Sequence, residues 1–145
     1  MYEKLGLRES DVIIDKQQSV NGTVNVPEET TLDIGTLLTT ADGGKTWTSD
    51  KEDPWVAGLY AENAIVYHNG HTWKSLAKDN SAEPGSDALS WEDQGAWDAN
   101  GVLVEGLETT ADANVLTMGY VSENNLTGFE EGLRMQLFKN KIITK

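Results

Sequence analysis

The stretch from Tyr60 to Trp91, YAENAIVYHNGHTWKSLAKDNSAEPGSDALSW, constrains the fold more than any other part of the chain. Ile65-Val66-Tyr67 and Thr72-Trp73-Lys74-Ser75-Leu76 are β-prone runs on either side of His68-Asn69-Gly70-His71. Asn-Gly takes the positive φ angles of a tight turn more readily than other dipeptides, so the segment predicts a hairpin. Glu83-Pro84-Gly85-Ser86 predicts a second turn, and Trp91 follows as a large apolar anchor. A lone hairpin is marginal in water. Tyr60, Tyr67, Trp73 and Trp91 are therefore expected to close over one another as a small core.

The order Tyr60, Val66-Tyr67-Asn69-Gly70, Trp73-Lys74-Ser75, Pro84-Gly85, Trp91 resembles the chitin- and cellulose-binding module of carbohydrate-binding families 5 and 12. The match covers roughly a quarter of the chain. Where that family carries sugar-stacking tryptophans, just after the second strand, this sequence has Ala77-Lys78. The resemblance implies the scaffold of a glycan-binding module, with Trp55, Tyr60, Trp73 and Trp97 as the aromatic residues that could contact a sugar. Aromatic faces suit the apolar C–H face of a pyranose. The alternative for Trp47, Trp55 and Trp97 is that each plugs the seam between this module and the rest of the chain.

Charged, turn-rich Ser49–Pro54 reads as a linker into the aromatic segment, and Gln94–Asn100 as a linker out, with Trp97 stranded in it. The expected organisation is a β-rich domain split into 1–53 and 98–145 around an inserted module at 54–97. A chain of 145 residues suits one domain with a small insert. Its Gly, Thr, Asn and Asp content, with few helical periodicities, points to a mainly β fold.

In chain order, Met1–Asp11 is polar and expected to be loose until docked. Val12-Ile13-Ile14 is a short apolar run followed by polar Asp15–Ser19. Asn21-Gly22 is a turn signal, Thr23–Val26 alternates as a strand, and Pro27 ends it. Thr31–Leu38 reads as a strand bent at Gly35. Thr40-Ala41-Asp42-Gly43-Gly44-Lys45-Thr46-Trp47 nearly spells the Asp-box of sialidases and related propellers, a hairpin braced by its Asp. One copy, in a chain whose arginines are Arg8 and Arg134, predicts a hairpin and not a sialidase. Val102-Leu103-Val104 suits a buried strand, Thr109–Asn114 a polar loop, and Val115–Val121 the longest strand. Thr127-Gly128-Phe129-Glu130 reads as a capping box opening one short helix, with Phe129, Leu133 and Leu137 on its apolar face. Lys141–Lys145 reads as an edge strand guarded by lysines.

The flanks resemble the head decoration proteins of tailed bacteriophages of the lambdoid type. Leu32–Leu38 is similar to the strand with that family's Gly-x-x-Leu bend, and Gly101–Glu105 to its Gly-Ile-Leu strand. Met118–Val121 followed by Asn125-Leu126 resembles its closing strand and the Leu that opens a short helix. The resemblance implies a small, β-tulip-like, mainly β domain with one short helix near the C-terminus. It further implies a homotrimer on the exterior of the assembled capsid that binds the major capsid protein and stabilises the head against internal DNA pressure. An N-terminal arm would add a strand to the capsid protein, and here that arm is Val12, Ile13 and Ile14.

Other chemistry is excluded or left without residues. A net charge of −13, from 24 acidic against 11 basic side chains, opposes binding to nucleic acid and anionic membranes. With no cysteine there is neither a disulfide nor a thiolate metal site. Neither an apolar leader nor a long apolar run is present, so the chain is expected to be made and to stay in a cytoplasm unless an assembly carries it out. The decoration-protein resemblance implies synthesis in a host cytoplasm and residence on the virion exterior. His68 and His71 flank a turn without a third ligand at zinc-site spacing. There is no nucleophile elbow, phosphate loop or framed carboxylate pair, so no enzyme, cofactor or metal is expected. Asn21-Gly22-Thr23 and Asn125-Leu126-Thr127 match glycosylation sequons and are read as chance. Two other readings stay open: a glycan-binding module of an adhesion protein, holding a virion to surface polysaccharide, and a tail-fibre or baseplate fragment built on the same module.

Overall fold

The structure, a computed structural model, describes residues 8–145. Strand accounts for 41% of it against 12% helix, so the fold is mainly β. The strands are β1 (Ile13–Val24), β2 (Leu37–Leu38), β3 (Thr46–Trp47), β4 (Ile65–His68), β5 (His71–Ser75), β6 (Trp91–Ala96), β7 (Gly101–Leu103), β8 (Ala111–Val121) and β9 (Ile142–Thr144). The helices are α1 (Glu9–Val12) and α2 (Arg134–Lys139), with 3-10 turns at Glu123–Asn125 and Glu131–Leu133. The chain divides into two compact units: Met1–Ser49 with Asp98–Phe129 and Arg134–Lys145, and Asp50–Trp97 with Glu130–Leu133.

The first unit is built on a sheet in the order β2-β7-β8-β1-β3, with β9 pairing beside β8. Its spine is the antiparallel ribbon of β1 and β8, in register from Ile13↔Val121 to Val24↔Ala111 with three irregularities along the way. β8 begins at Ala111, not at Val115. Ala113 and Val115 point inward while Asp112 and Asn114 point out, so the polar stretch expected to be a loop is a half-buried strand. β1 likewise runs through Asp15–Ser19, whose side chains are exposed. Backbone pairing to β8, not burial, makes that part a strand.

The Thr31–Leu38 strand is shorter than expected. Leu32 bridges Leu107, the chain turns at Ile34-Gly35 with Gly35 at φ +93°, and only Leu37–Leu38 pairs with β7. Val24, Leu38, Trp47, Leu103 and Val115 form the centre of this unit's core.

The expected capping box does not form. Thr127 lies in a parallel bridge with Thr36, its amide donating to the Gly35 carbonyl at 3.0 Å, and Gly128 sits at φ +89°. Helical structure begins only at Glu131. Leu133 and Leu137 are fully buried, as an apolar face requires, whereas Phe129 is only half-buried. β9 pairs in parallel with Gly119–Val121, at the edge where a lysine-guarded strand was expected.

The second unit is a sheet in the order β4-β5-β6. β4 and β5 form the expected hairpin, with Val66↔Trp73 and His68↔His71 in register and Asn69 and Gly70 at φ +47° and +81°. Gln94–Ala96 is not a linker but the end of β6, whose backbone pairs with His71–Trp73. Around this sheet, Tyr60 and Asn80 exchange backbone hydrogen bonds at 2.8 and 2.9 Å. The Asn80 amide donates to Ser75 Oγ and the Ser90 carbonyl and accepts from the Ala82 amide. That one buried side chain ties together the loops that a small sheet could not order by burial alone.

Candidate functional surfaces

The aromatic residues of the second unit fall on both faces of its sheet. Val66 and Trp73 face each other across the hairpin, Ser75 pairs with Trp91, and Tyr60 meets Trp91 edge-on at 5.5 Å. Strand alternation places Tyr67 on the opposite face, so of the expected closure of Tyr60, Tyr67, Trp73 and Trp91 the Tyr60–Trp91 contact forms, while Tyr67 lies across the sheet from it. On that other face the Lys51 ammonium lies 4.0 Å from the Trp97 ring and 5.9 Å from the Tyr67 ring. Burial lowers the Lys51 pKa against the opposing pull of Glu130 and Asp50. Burial likewise pushes the Tyr67 hydroxyl up, with Glu130 adding to the shift.

These placements sort the four aromatic residues expected to face a sugar. Trp97 is half-buried, donates its indole N–H to the Asp50 carbonyl at 3.1 Å, and has one face covered by Lys51. Trp55 is half-buried and edge-on to His68 at 5.2 Å. Tyr60 is held through its hydroxyl, which donates to the Val56 carbonyl and accepts from the Val56 amide. Trp73 remains. Its indole N–H donates to the His68 carbonyl at 3.0 Å, and its ring borders two grooves. One, of about 450 Å3, runs past Leu76, Trp91, Asp87 and Asp93; the other, of about 440 Å3, passes Glu83 and Gly85. Leu89, beside the first groove in sequence, is 86% exposed. Aromatic and aliphatic walls with hydrogen-bonding carboxylates at the rim are chemically suited to a polyhydroxylated or amino-substituted ring. His68 Nε2 and His71 Nδ1 are engaged, with Glu83 at 3.0 Å and Asp93 at 2.9 Å.

The arm residues of the first unit are mostly committed to its core. Val12 ends α1 with no exposure, and Ile13 is 8% exposed opposite Val121. Ile14, at the first irregularity of the β1–β8 ribbon, is 54% exposed. Of Val12, Ile13 and Ile14, the residues expected to form a capsid-binding arm, Ile14 is the one with an exposed side chain.

A surface the sequence reading passed over lies on α2 and β9. Met135 is 66% and Phe138 58% exposed, although Leu137 between them is fully buried. Phe138 and Ile143 line two adjoining hollows of about 310 and 280 Å3, the first also bounded by Met118 and Tyr120 and the second by Met135. The signal was available: Met135 and Phe138 stand three apart, off the Leu133–Leu137 line.

The Asp-box segment is a braced hairpin. Asp42 accepts from the Lys45 and Thr46 amides at 3.1 and 2.9 Å and from the Thr46 hydroxyl at 2.6 Å. These bonds, the Thr46 hydroxyl foremost, hold its pKa down at about 2. Trp47, 2% exposed, sits in the core of its own unit.

The chain matches no family model, no curated protein and no solved structure.

Proposed function

We propose that this chain is a structural virion protein that binds the outside of an assembled phage capsid as a homotrimer and stabilises it, without catalysing a reaction. The supporting observation is that the segments resembling the decoration family are neighbours in one sheet. Gly35–Leu38, Gly101–Val104 and Met118–Val121 contribute β2, β7 and β8 in that spatial order. The apolar surface of exposed Met135 and Phe138 with half-buried Ile143 adds a face suited to association, since contiguous apolar surface commonly marks an interface. A ligand that binds only the assembled shell deepens its stability by RT ln(1 + [L]/Kd), about 2.7 kcal/mol per site at about 100-fold excess over Kd. The test is co-sedimentation with expanded shells of the cognate phage, with stoichiometry and shell melting measured together. Three copies at each threefold position and a raised shell melting temperature are expected. A single copy per axis, or shells that melt unchanged, would sink the reading.

A second reading is supported by the Trp73 grooves: the second unit holds a surface glycan, as a module of a virion, tail fibre or other adhesion protein. Retention on insoluble chitin and binding on a glycan array test it.

A further inference from the structure

Charge on the first unit is segregated along the β1–β8 ribbon. From Arg134 to Lys145 the sequence carries Arg134, Lys139, Lys141 and Lys145 and no Asp or Glu. These residues belong to α2, β9 and their flanks, beside the Gly119–Val121 end of β8. Of the acids near that end, Glu9 pairs with Lys16, Asp11 with Arg8 and Glu123 with Arg134, while exposed Asp98 is hydrogen-bonded by Gln136 and Asn140. Asp15 is hydrogen-bonded by Gln17. Lys139, Lys141 and Lys145 are exposed around the apolar surface of Phe138 and Ile143, Lys145 lying 4.6 Å from the Tyr120 ring.

The opposite end is acidic. Val24 pairs with Ala111 there, and the Leu32–Leu107 bridge brings the following loops side by side. Glu28, Glu29, Glu105, Glu108 and Asp112 are all exposed on those loops and the first turn of β8, and neither 24–33 nor 104–114 contains a Lys or Arg. The neighbouring base is Lys45, whose carbonyl accepts from the Thr23 amide. Eleven residues of β8 separate the two ends, about 33 Å at about 3.3 Å per residue, several times the screening length of about 8 Å at physiological salt. The two charges therefore cannot satisfy one another within one chain.

We infer that the basic, apolar end formed by α2 and β9 docks head to tail on the acidic loops 28–33 and 105–112 of a second copy of this chain. The inference rests on the trimer reading above and names its contact. A head-to-tail contact is heterologous: repeated, it closes into a ring if its rotation divides a full turn, and otherwise runs on as a filament. The apolar centre of Phe138, Met135 and Ile143 supplies the desolvated area, while the lysine rim and its acidic counterpart set register and partner choice.

The test uses the full chain and two charge-reversed variants, Lys139→Glu/Lys145→Glu and Glu105→Lys/Glu108→Lys, all at exposed side chains, with circular dichroism confirming each fold. Mass is measured by sedimentation between about 0.1 and about 1 M salt, where the screening length falls from about 10 to about 3 Å. The parent chain is expected to associate at low salt and to weaken at least about tenfold at high salt. Each variant alone is expected to be monomeric, and an equimolar mixture of the two to form heterodimers, because each then offers the other an opposite charge, whereas a closed ring of three would force one like-charged contact. A trimer indifferent to salt and to both reversals would overturn this contact while leaving the trimer standing. A monomer at every concentration would overturn both. A monomer that binds shells through Lys139 and Lys145 would assign the basic end to the capsid and likewise overturn the inference.

Discussion

The Gly132 amide donates to Asn69 Oδ1 at 3.2 Å, and a Cβ on Gly132 would collide with the Asn69 carbonyl oxygen. Gly132, in the 3-10 turn Glu131–Leu133, is therefore fixed by the hairpin turn it lies against. Gly70, at φ +81°, faces Leu133, whose Cγ would lie 2.9 Å from a Cβ placed there. Gly132→Ala is predicted to destabilise the protein by about 2 kcal/mol, the usual scale for forcing a methyl group into a closed contact. Gly58, with open space around its Cβ position, is the control, and Gly58→Ala is expected to be close to neutral. Denaturant unfolding of both checks this; equal midpoints would remove the argument.

The Asp42 brace makes a pH prediction. A carboxyl whose folded pKa is about 2 against an ordinary 3.8 favours the folded state when ionised. Its contribution is thus fully present above about 3.8 and disappears as the pH falls through about 2. The Asp42 carboxyl resonance should titrate near about 2, with the Lys45 and Thr46 amides shifting in step. A midpoint in the ordinary carboxylate range would mean that the hydrogen bonds are not held in solution.

Asn80 offers a sharper stability test because its side chain is 4% exposed and fully engaged. Asn80→Ala strands the Ala82 amide and takes one of two donors from the Ser90 carbonyl, which keeps the Leu76 amide, and a buried polar group left without its partner costs about 1–3 kcal/mol. We expect a loss of about 2 kcal/mol, together with faster amide exchange at Ala82. A variant as stable as the parent would show that water replaces the side chain freely.

What was legible in the sequence follows what each segment depends on. The 65–75 hairpin and the 40–47 brace are local: Asn69-Gly70 and Asp42 determine their own turns through φ and short hydrogen bonds, so composition announces them. β1 through Asp15–Ser19 and β6 through Glu92–Gly95 are mostly exposed strands, held by a neighbour's backbone far away in sequence, and no hydrophobic period marks them. The capping box failed for the same reason in reverse. Thr127 has the right local pattern, but a bridge to Thr36 made possible by the bend at Gly35 takes it first. Among the site residues, Val12 and Ile13 were recognisable as apolar but not as core, because Ser122 and Val121, whose backbones they lie against, are about a hundred residues on. Phe138 and Met135 lie off the Leu133–Leu137 line that packs, and periodicity marks the packing face alone.

The aromatic residues of the second unit separate under substitution if the grooves bind a sugar. Trp73 borders both, while the Trp97 ring is covered on one face by Lys51 at 4.0 Å. A stacked ring contributes about 1 kcal/mol beyond its buried area, roughly fivefold in affinity, so Trp73→Ala should cut retention on chitin at least that much. Trp97→Phe should leave retention nearly unchanged, since the flat apolar body it presents to Lys51 persists. Asp87→Asn separates recognition by charge from recognition by stacking: an amino-sugar polymer would lose affinity, and a neutral glycan would not. Folding is followed in each variant by the near-ultraviolet signal of Trp91, which lies edge-on to Tyr60 at 5.5 Å. Retention that survives Trp73→Ala, or parent protein that never binds the polymer, would take the glycan away from this surface and leave the capsid reading alone.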